Sequence, residues 1–260
     1  MSEAQHSFAE VAGCKISLHR AGKGEPLLFL HGARGASEWT PFMAALAERF
    51  DVIVPEHPGF GRSQTPDWLD NVGDLAYFYL DFLEKNRLDG VHLVGTSLGG
   101  WVAAEMAVRQ TAALKSLTLV APAGIHVPGV PKGDIFLWSA ETTTRNLFFD
   151  PALAEVMLAQ PVSEEQQDRL LQNNLTMAKL SWQPRLYNPD LAKWLHRIDV
   201  PTLIVWGEQD KVIPAAYGPA FERLIPGAQL KILPACGHLP HVERTSAFVK
   251  AIVDFTSEVV

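Results

Sequence analysis

The sequence lacks the patterns that mark several large classes of protein. Only two of its 260 residues are cysteines, Cys14 and Cys236, so it cannot hold a disulfide framework and we expect a reducing, cytoplasmic location. No apolar run approaches the roughly 20 residues that a membrane span requires. The stretch 1–6 has neither the basic flank nor the apolar core of a signal peptide, so we expect no secretory signal there.

The sequence also has few basic residues and lacks a sequence pattern typical of metal ligands. Twenty-two lysines and arginines stand against 29 aspartates and glutamates, a net charge of −7 that argues against nucleic acids and anionic membranes as partners. His238 and His241 are not part of an H-E-x-x-H pattern, so we predict no metal and no other cofactor. We expect a small-molecule substrate, and a chain that acts as a monomer or a homodimer.

Short apolar runs alternate with amphipathic stretches over most of the chain, and 47% of its residues are apolar. This alternation is typical of a parallel sheet with helices on both faces, and residues 7–20 precede it as a predicted hairpin. The predicted strands are 26–30, 51–55, 91–95, 114–120, 201–206 and 228–233. The predicted helices are 37–49, 67–86, 98–109, 215–225 and 242–253.

The alternation stops after Val120 and resumes at Val200. Between them lie prolines, leucines and aromatic residues without a strand-like run, which predicts a mostly helical insertion over the carboxyl edge of the sheet. We therefore divide the chain into a core, an inserted cap and the remainder of the core: residues 1–121, 122–198 and 199–260.

Ser97 lies in the most informative stretch of the chain. The apolar run from Val91 leads into Gly95-Thr96-Ser97-Leu98-Gly99, a G-x-S-x-G pattern followed by helix formers. A serine at such a sharp strand-to-helix turn is expected to have a positive φ, and a side chain on either flanking glycine would collide with the neighbouring strand or helix. The order strand, serine, helix therefore predicts a nucleophile.

Three further strands end in residues that are capable of chemistry. The first leads into His31-Gly32-Ala33-Arg34-Gly35, the second into Gly207-Glu208-Gln209-Asp210 and the third into Cys236-Gly237-His238. Open α/β sheets build their sites at the carboxyl ends of strands, so these groups are expected to meet.

With these motifs the sequence resembles an α/β-hydrolase of the capped esterase and carbon–carbon-bond hydrolase type. The resemblance extends from the His31-Gly32 turn through the loop 55–63 to the final helix, and it departs at Glu56, where the family more often has Asp. It implies an α/β fold with a mostly parallel eight-stranded sheet, helices on both faces and an inserted helical cap. Haloalkane dehalogenases and epoxide hydrolases of this family need a carboxylate where Ser97 stands, so they are excluded.

The order Ser, Asp, His along the chain is the one expected of this family. Ser97 needs a base, and His238 matches the family's histidine loop, whereas His241 is predicted to begin the last helix or to pack against it. Asp210 matches the family turn better than its rival Glu208. No carboxylate follows the strand 114–120, where some members carry the acid.

An acyl-transfer site also needs two backbone N–H groups that point at the developing oxyanion. Leu98 is one candidate because it opens the helix after the nucleophile. The resemblance implies Ala33 as the other, with Arg34 as the alternative if the turn is shifted by one residue.

The residues that bind substrate are less well defined by the sequence. Trp39 and Trp101 are candidates for the floor of the pocket, although core packing explains them equally well. Arg145 and Arg185 are candidates for binding a substrate carboxylate, as a cap arginine does in the similar carbon–carbon hydrolases.

We therefore predict a serine hydrolase that cleaves small carboxylic esters through an acyl-enzyme. The alternatives are a carbon–carbon hydrolase of vinylogous diketo acids and a ligand-binding protein of the same fold that does not hydrolyse.

Overall fold

An eight-stranded sheet organises the computed structural model, which describes residues 4–259. The strands lie in the order β1-β2-β4-β3-β5-β6-β7-β8, and all neighbours are parallel except β1 with β2 and β2 with β4. The predicted mostly parallel sheet and its N-terminal hairpin are therefore confirmed. The strands are β1 Gln5–Val11, β2 Cys14–Ala21, β3 Pro26–Leu30, β4 Asp51–Pro55, β5 Val91–Thr96, β6 Leu114–Val120, β7 Thr202–Gly207 and β8 Gln229–Leu233.

Helices cover both faces because neighbouring residues along each inner strand point to opposite sides. In β3, Leu28 and Leu30 belong to one apolar core and Leu27 and Phe29 to the other. The outer helices are α1 Pro41–Leu46, α2 Val72–Lys85, α3 Leu98–Arg109, α8 Gly218–Leu224, α9 Pro240–Glu243 and α10 Thr245–Ser257, with a 3-10 turn at Ala215–Tyr217.

Between β6 and β7 the chain forms the inserted segment, residues 122–198. Its helices are α4 Ala140–Leu147, α5 Pro151–Ala159, α6 Glu164–Ser181 and α7 Leu191–Trp194, with a 3-10 helix at Leu195–Arg197. Within this part of the described chain there is no strand of the sheet, only an isolated bridge between Gly124 and Tyr187. The helical character agrees with the sequence, and the boundaries of a separate cap remain a prediction.

Four helices differ from their predicted extents, and the one predicted over 215–225 is a 3-10 turn followed by α8. The helix predicted from residue 37 begins only at Pro41, because a residue that precedes proline is driven out of the helical region and Thr40 is extended. The helix predicted from residue 67 begins at Val72, where Asn71 and Asp74 form a capping box. The last predicted helix is divided at Arg244 into α9 and α10.

The structure describes neither Met1–Glu3 nor Val260, so most of the stretch on which the signal-peptide prediction rests lies outside the described residues. Among residues 4–259, no helix has the length and apolar character that crossing a membrane requires.

Candidate active site

Ser97 lies at the turn between β5 and α3 and has the predicted positive φ, 53°. An added Cβ on Gly95 would lie 2.2 Å from the Gly99 carbonyl oxygen, and one on Gly99 would lie 2.1 Å from the Leu30 carbonyl oxygen. Neither contact is possible, so both flanking positions need glycine. The predicted geometry of this turn is confirmed.

Three residues from separate loops meet at the carboxyl edge of the sheet. The Ser97 hydroxyl lies 3.0 Å from His238 Nε2, and His238 Nδ1 lies 2.7 Å from Asp210 Oδ2. This pattern fits one tautomer, in which Nδ1–H donates to the carboxylate and Nε2 accepts from the serine. The structure therefore brings together the three residues that the sequence selects.

The Asp210 carboxylate is buried and held from several sides. Oδ1 accepts hydrogen bonds from the amides of Val212 and Ile213 at 2.8 and 2.9 Å, and Oδ2 accepts from Trp206 Nε1 at 3.2 Å. These donors fix the plane of the carboxylate. Glu208 is exposed and accepts a hydrogen bond from Gln209, so it makes no contact of this kind with His238.

The inserted segment supports the loop that carries His238. The His238 amide donates to the carbonyl of Leu147, at the end of α4, at 2.8 Å. The Gly237 amide donates to the carboxylate of Glu243, which also accepts from the amides of Phe149 and Asp150. The position of His238 therefore depends on both parts of the chain.

His241 lies in α9, close to where the sequence places it, and is buried among aromatic rings. Its nearest ring neighbours are Phe42, Phe248 and Phe29, with centroids 4.9 to 6.0 Å away. Burial, with a smaller contribution from His238, lowers the pKa of His241 to about 3. Its Nδ1 has no hydrogen-bond partner among the described residues, so His241 is a neutral packing residue.

The turn that carries Ala33 lies beside the nucleophile. An added Cβ on Gly32 would lie 3.4 Å from Ser97 Cβ. The Gly32 carbonyl accepts hydrogen bonds from the Gly35 amide at 3.1 Å and from His31 Nδ1 at 2.6 Å. The C=O and N–H of a trans peptide point in opposite directions, so holding this carbonyl also fixes the direction of the Ala33 N–H. This favours Ala33 over Arg34 as an oxyanion donor.

Leu98 is the first residue of α3, so its N–H has no acceptor within the helix. The partial positive charge at this helix end favours an anion there.

A buried pair of histidines fixes the strand end before this turn. His31 Nε2 accepts from the His57 amide, and His57 Nε2–H donates to the His31 carbonyl, both at 2.9 Å. The Tyr79 hydroxyl donates to His57 Nδ1 at 2.6 Å. Burial lowers the pKa of His31 to about 4, lowers that of His57 and raises that of Tyr79, so all three stay neutral.

Glu56, the departure from the family pattern, has a structural position. Its fully buried carboxylate accepts from the Ser37 hydroxyl at 2.6 Å and from the Arg62 amide at 2.9 Å. An added Cβ on Gly61 would lie 1.8 Å from Glu56 Oε1, so this side chain fills the space above Gly61.

The two tryptophans have different surroundings. Trp101 is 3% exposed and packs in the main core, where its Nε1 donates to the buried Glu105 carboxylate at 3.1 Å. These are the contacts of a core residue and not those of a pocket floor. Trp39 is half-buried, its Nε1 has no partner within residues 4–259, and its place in a substrate pocket remains a prediction.

Both arginines have carboxylate partners within the protein. Arg145 is exposed on α4 and pairs with Glu141 and Glu155. Arg185 pairs with Asp134 and lies over the ring of Trp182, 4.6 Å from its centroid. The substrate-binding role that we predicted for Arg145 and Arg185 remains a prediction.

The described residues include no group of three or more histidine, cysteine, aspartate or glutamate side chains that could hold a metal ion.

The sequence matches the family model described as alpha/beta hydrolase fold over residues 25–245. The chain belongs to this family. The match spans all three catalytic candidates, and it makes the protein a hydrolase of the alpha/beta superfamily.

Individual relatives include hydrolases of two kinds. The chain is 28% identical to a 2-hydroxymuconate semialdehyde hydrolase of Pseudomonas sp. strain CF600, covering 95% of this chain and 92% of the relative. It is 30% identical to Lipase 1 of Psychrobacter immobilis, covering 85% and 73%. Among solved structures, a serine hydrolase involved in carbazole degradation superimposes with a TM-score of 0.79 at 25% identity, covering 98% and 99%.

Sequence reasoning assigned no role to His57 or Tyr79 and overlooked Asn173 on α6. Asn173 precedes the buried positions Thr176, Met177 and Leu180 at helical spacing. An amide on the buried face of a helix was the available signal, because such a group must find partners.

Proposed function

We propose that this α/β-hydrolase cleaves small carboxylic esters through an acyl-enzyme, with Ser97 as nucleophile, His238 as general base and Asp210 as its orienting acid. The observation that carries the proposal is the continuous pair of hydrogen bonds from Ser97 Oγ to His238 Nε2 at 3.0 Å and from His238 Nδ1 to Asp210 at 2.7 Å. A serine hydroxyl is a poor nucleophile without such a base.

In the first half of the reaction, Ser97 Oγ attacks the ester carbonyl carbon as its proton passes to His238 Nε2. The carbonyl oxygen gains negative charge, which the amides of Ala33 and Leu98 stabilise. When the tetrahedral intermediate collapses, the bond to the alcohol oxygen breaks, and His238 returns the proton to the leaving alcohol. Asp210 stabilises the transient imidazolium.

In the second half, water replaces the alcohol. His238 takes a proton from the water as its oxygen attacks the acyl carbon. The bond to Ser97 Oγ then breaks, the serine recovers its proton, and the carboxylic acid leaves.

Carbon–carbon cleavage of vinylogous diketo acids is the second candidate. It is favoured by the relatives named as dienoate or semialdehyde hydrolases, of which the example above covers more than nine tenths of both chains. The ion pairs of Arg145 and Arg185 weigh against it, because a dienoate carboxylate would have to compete with Glu141, Glu155 or Asp134.

A binding protein without turnover is the third candidate. The hydrogen bond between Ser97 and His238 argues against it, since a binding role does not need an activated serine.

The test is hydrolysis of p-nitrophenyl esters from acetate to octanoate, beside a ring-fission dienoate, with Ser97→Ala as the blank. We expect rapid ester turnover, a slow reaction with the dienoate and no turnover above background in the variant. Rapid loss of the dienoate with slow ester turnover would establish the second candidate instead. Tight ligand binding without turnover of either class would establish the third.

A further inference from the structure

The face of α6 that meets the core is unusually polar. Thr176 Oγ1 donates to the Gly59 carbonyl at 2.7 Å, and Gln172 Nε2 donates to Thr65 Oγ1 at 2.7 Å. On another side of the same helix, Leu171 and Leu175 are 59% and 64% exposed. Hydrogen bonds to loops of the core, as well as apolar packing, therefore hold α6 in place.

Asn173 is the residue of α6 that reaches the turn beside the nucleophile. It is 2% exposed, its Nδ2 donates to the Arg34 carbonyl at 2.9 Å, and its Oδ1 accepts from the Gly61 amide at 2.8 Å. An added Cβ on Gly35 would lie 2.9 Å from the same Nδ2. The amide is thus enclosed and paired at both ends.

Two peptide units connect Asn173 to the expected oxyanion donor. Asn173 holds the Arg34 carbonyl, and the opposite end of that peptide unit is the Gly35 N–H, which donates to the Gly32 carbonyl at 3.1 Å. The opposite end of the Gly32 peptide unit is the Ala33 N–H. Because each unit is planar and trans, fixing one end fixes the direction of the other.

We propose that Asn173 is a positioning residue for catalysis, which aligns the Ala33 N–H with the oxyanion. This alignment then depends on the packing of α6 against the core. The inference rests on the proposed function. Thr176 serves as the matched reference, because it also bonds α6 to a backbone carbonyl of the core, but that carbonyl belongs to Gly59 and not to the turn 32–35.

The experiment compares Asn173→Ala and the milder Asn173→Ser with Thr176→Val, which keeps the shape of the side chain and loses only its hydrogen bond. For p-nitrophenyl acetate we expect kcat to fall about tenfold or more in both Asn173 variants with little change in KM, since loss of an entire oxyanion donor costs about 100- to 1,000-fold. Thr176→Val is expected to keep kcat within about twofold.

A second readout is independent of steady-state turnover. An alkyl boronic acid forms a tetrahedral adduct with a nucleophilic serine, whereas the product carboxylate binds as a ground-state ligand. We expect the Asn173 variants to lose about tenfold in affinity for the boronic acid and to keep their affinity for the carboxylate. A purely structural role would not separate these two ligands.

The outcomes distinguish this inference from the proposed function. If the wild type neither hydrolyses esters nor reacts with a fluorophosphonate, the proposed function fails. If the wild type is active and folded Asn173→Ser matches Thr176→Val in kcat and in boronic acid affinity, the inference about Asn173 is wrong. Asn173→Ser decides the question should Asn173→Ala fail to fold.

Discussion

The carboxyl edge of the sheet and the inserted segment contribute to the same site in different ways. Ser97 and Asp210 follow the buried strands β5 and β7, and His238 follows the edge strand β8. Asp210 and His238 are 6% and 3% exposed. Of the thirteen exposed large apolar residues in the described chain, nine lie between positions 122 and 198. The edge holds reactive groups in fixed positions, whereas the segment leaves apolar surface uncovered and contacts the site through a few hydrogen bonds.

The difference indicates a division of labour. The core alone carries the residues that we propose as nucleophile, base and acid, and the expected oxyanion donors. The inserted segment supplies the Leu147 carbonyl, which holds the His238 loop, and Asn173, which holds the Ala33 turn. Changes at the edge should therefore abolish chemistry, and changes in the segment should reduce it by degrees.

The largest expected effect follows removal of the base. His238→Ala should lower kcat for p-nitrophenyl acetate by about 10⁵-fold or more, because Ser97 then has no proton acceptor. The melting temperature should stay close to that of the wild type, which thermal unfolding checks. A folded variant that keeps more than a hundredth of the activity would contradict the role of His238.

The second largest loss of activity is expected on replacing the acid. Asp210→Asn should lower kcat about 10⁴-fold, because an amide favours the wrong histidine tautomer. Glu208→Gln, two residues away and exposed, is the matched control and should keep full activity. The reverse result for the two variants would assign the acid to Glu208.

Substitution of one glycine in each region tests how tightly the two regions are packed. Gly99→Ala should destabilise the protein by about 3 kcal/mol or prevent folding, because its Cβ would lie 2.1 Å from a backbone oxygen. Gly129, in the inserted segment, has φ of +79° and no atom within 4 Å of an added Cβ, so Gly129→Ala should cost only about 1 kcal/mol. Urea unfolding measures both, and equal costs would contradict the proposed difference in packing.

The last prediction concerns the pH dependence of stability. The folded-state pKa of His241, about 3, lies below its ordinary value of 6.5, so the unfolded state takes up a proton first as the pH falls. This lowers the free energy of unfolding by up to about 1.4 kcal/mol per pH unit below about pH 6.5. His241→Leu should flatten the dependence between pH 6.5 and pH 4, measured by urea unfolding.

The same variant should retain ester hydrolysis at pH 8, because His241 contacts aromatic rings and not Ser97. An unchanged pH dependence would show that His241 is not buried in its neutral form. Loss of turnover in the folded variant would make it the base.

The sequence alone predicted the sheet and its strand ends well, because the spacing of apolar residues and the residues typical of turns are local signals. The G-x-S-x-G turn is an example, since the need for Gly95 and Gly99 follows from the chain within a few residues of Ser97. The start of α1 was missed although Pro41 marks it, because the apolar spacing from Trp39 onwards was given more weight.

Contacts between distant parts of the chain could not be predicted in this way. Arg34 and Asn173 are 139 residues apart, and no local pattern pairs an amide on a helix with one particular carbonyl. The ion pairs of Arg145 with Glu155 and of Arg185 with Asp134 could not be predicted either, because charge alone does not tell whether an arginine has a distant partner within the protein or binds a ligand. Packing of the inserted segment decides such cases.

The most direct test of the account is the site of covalent modification by a fluorophosphonate, read by mass spectrometry of the digested protein. The account predicts one adduct per chain, on Ser97, formed at a rate that falls sharply in His238→Ala. An adduct on another residue, or full ester turnover by an enzyme whose Ser97 is never modified, would contradict it.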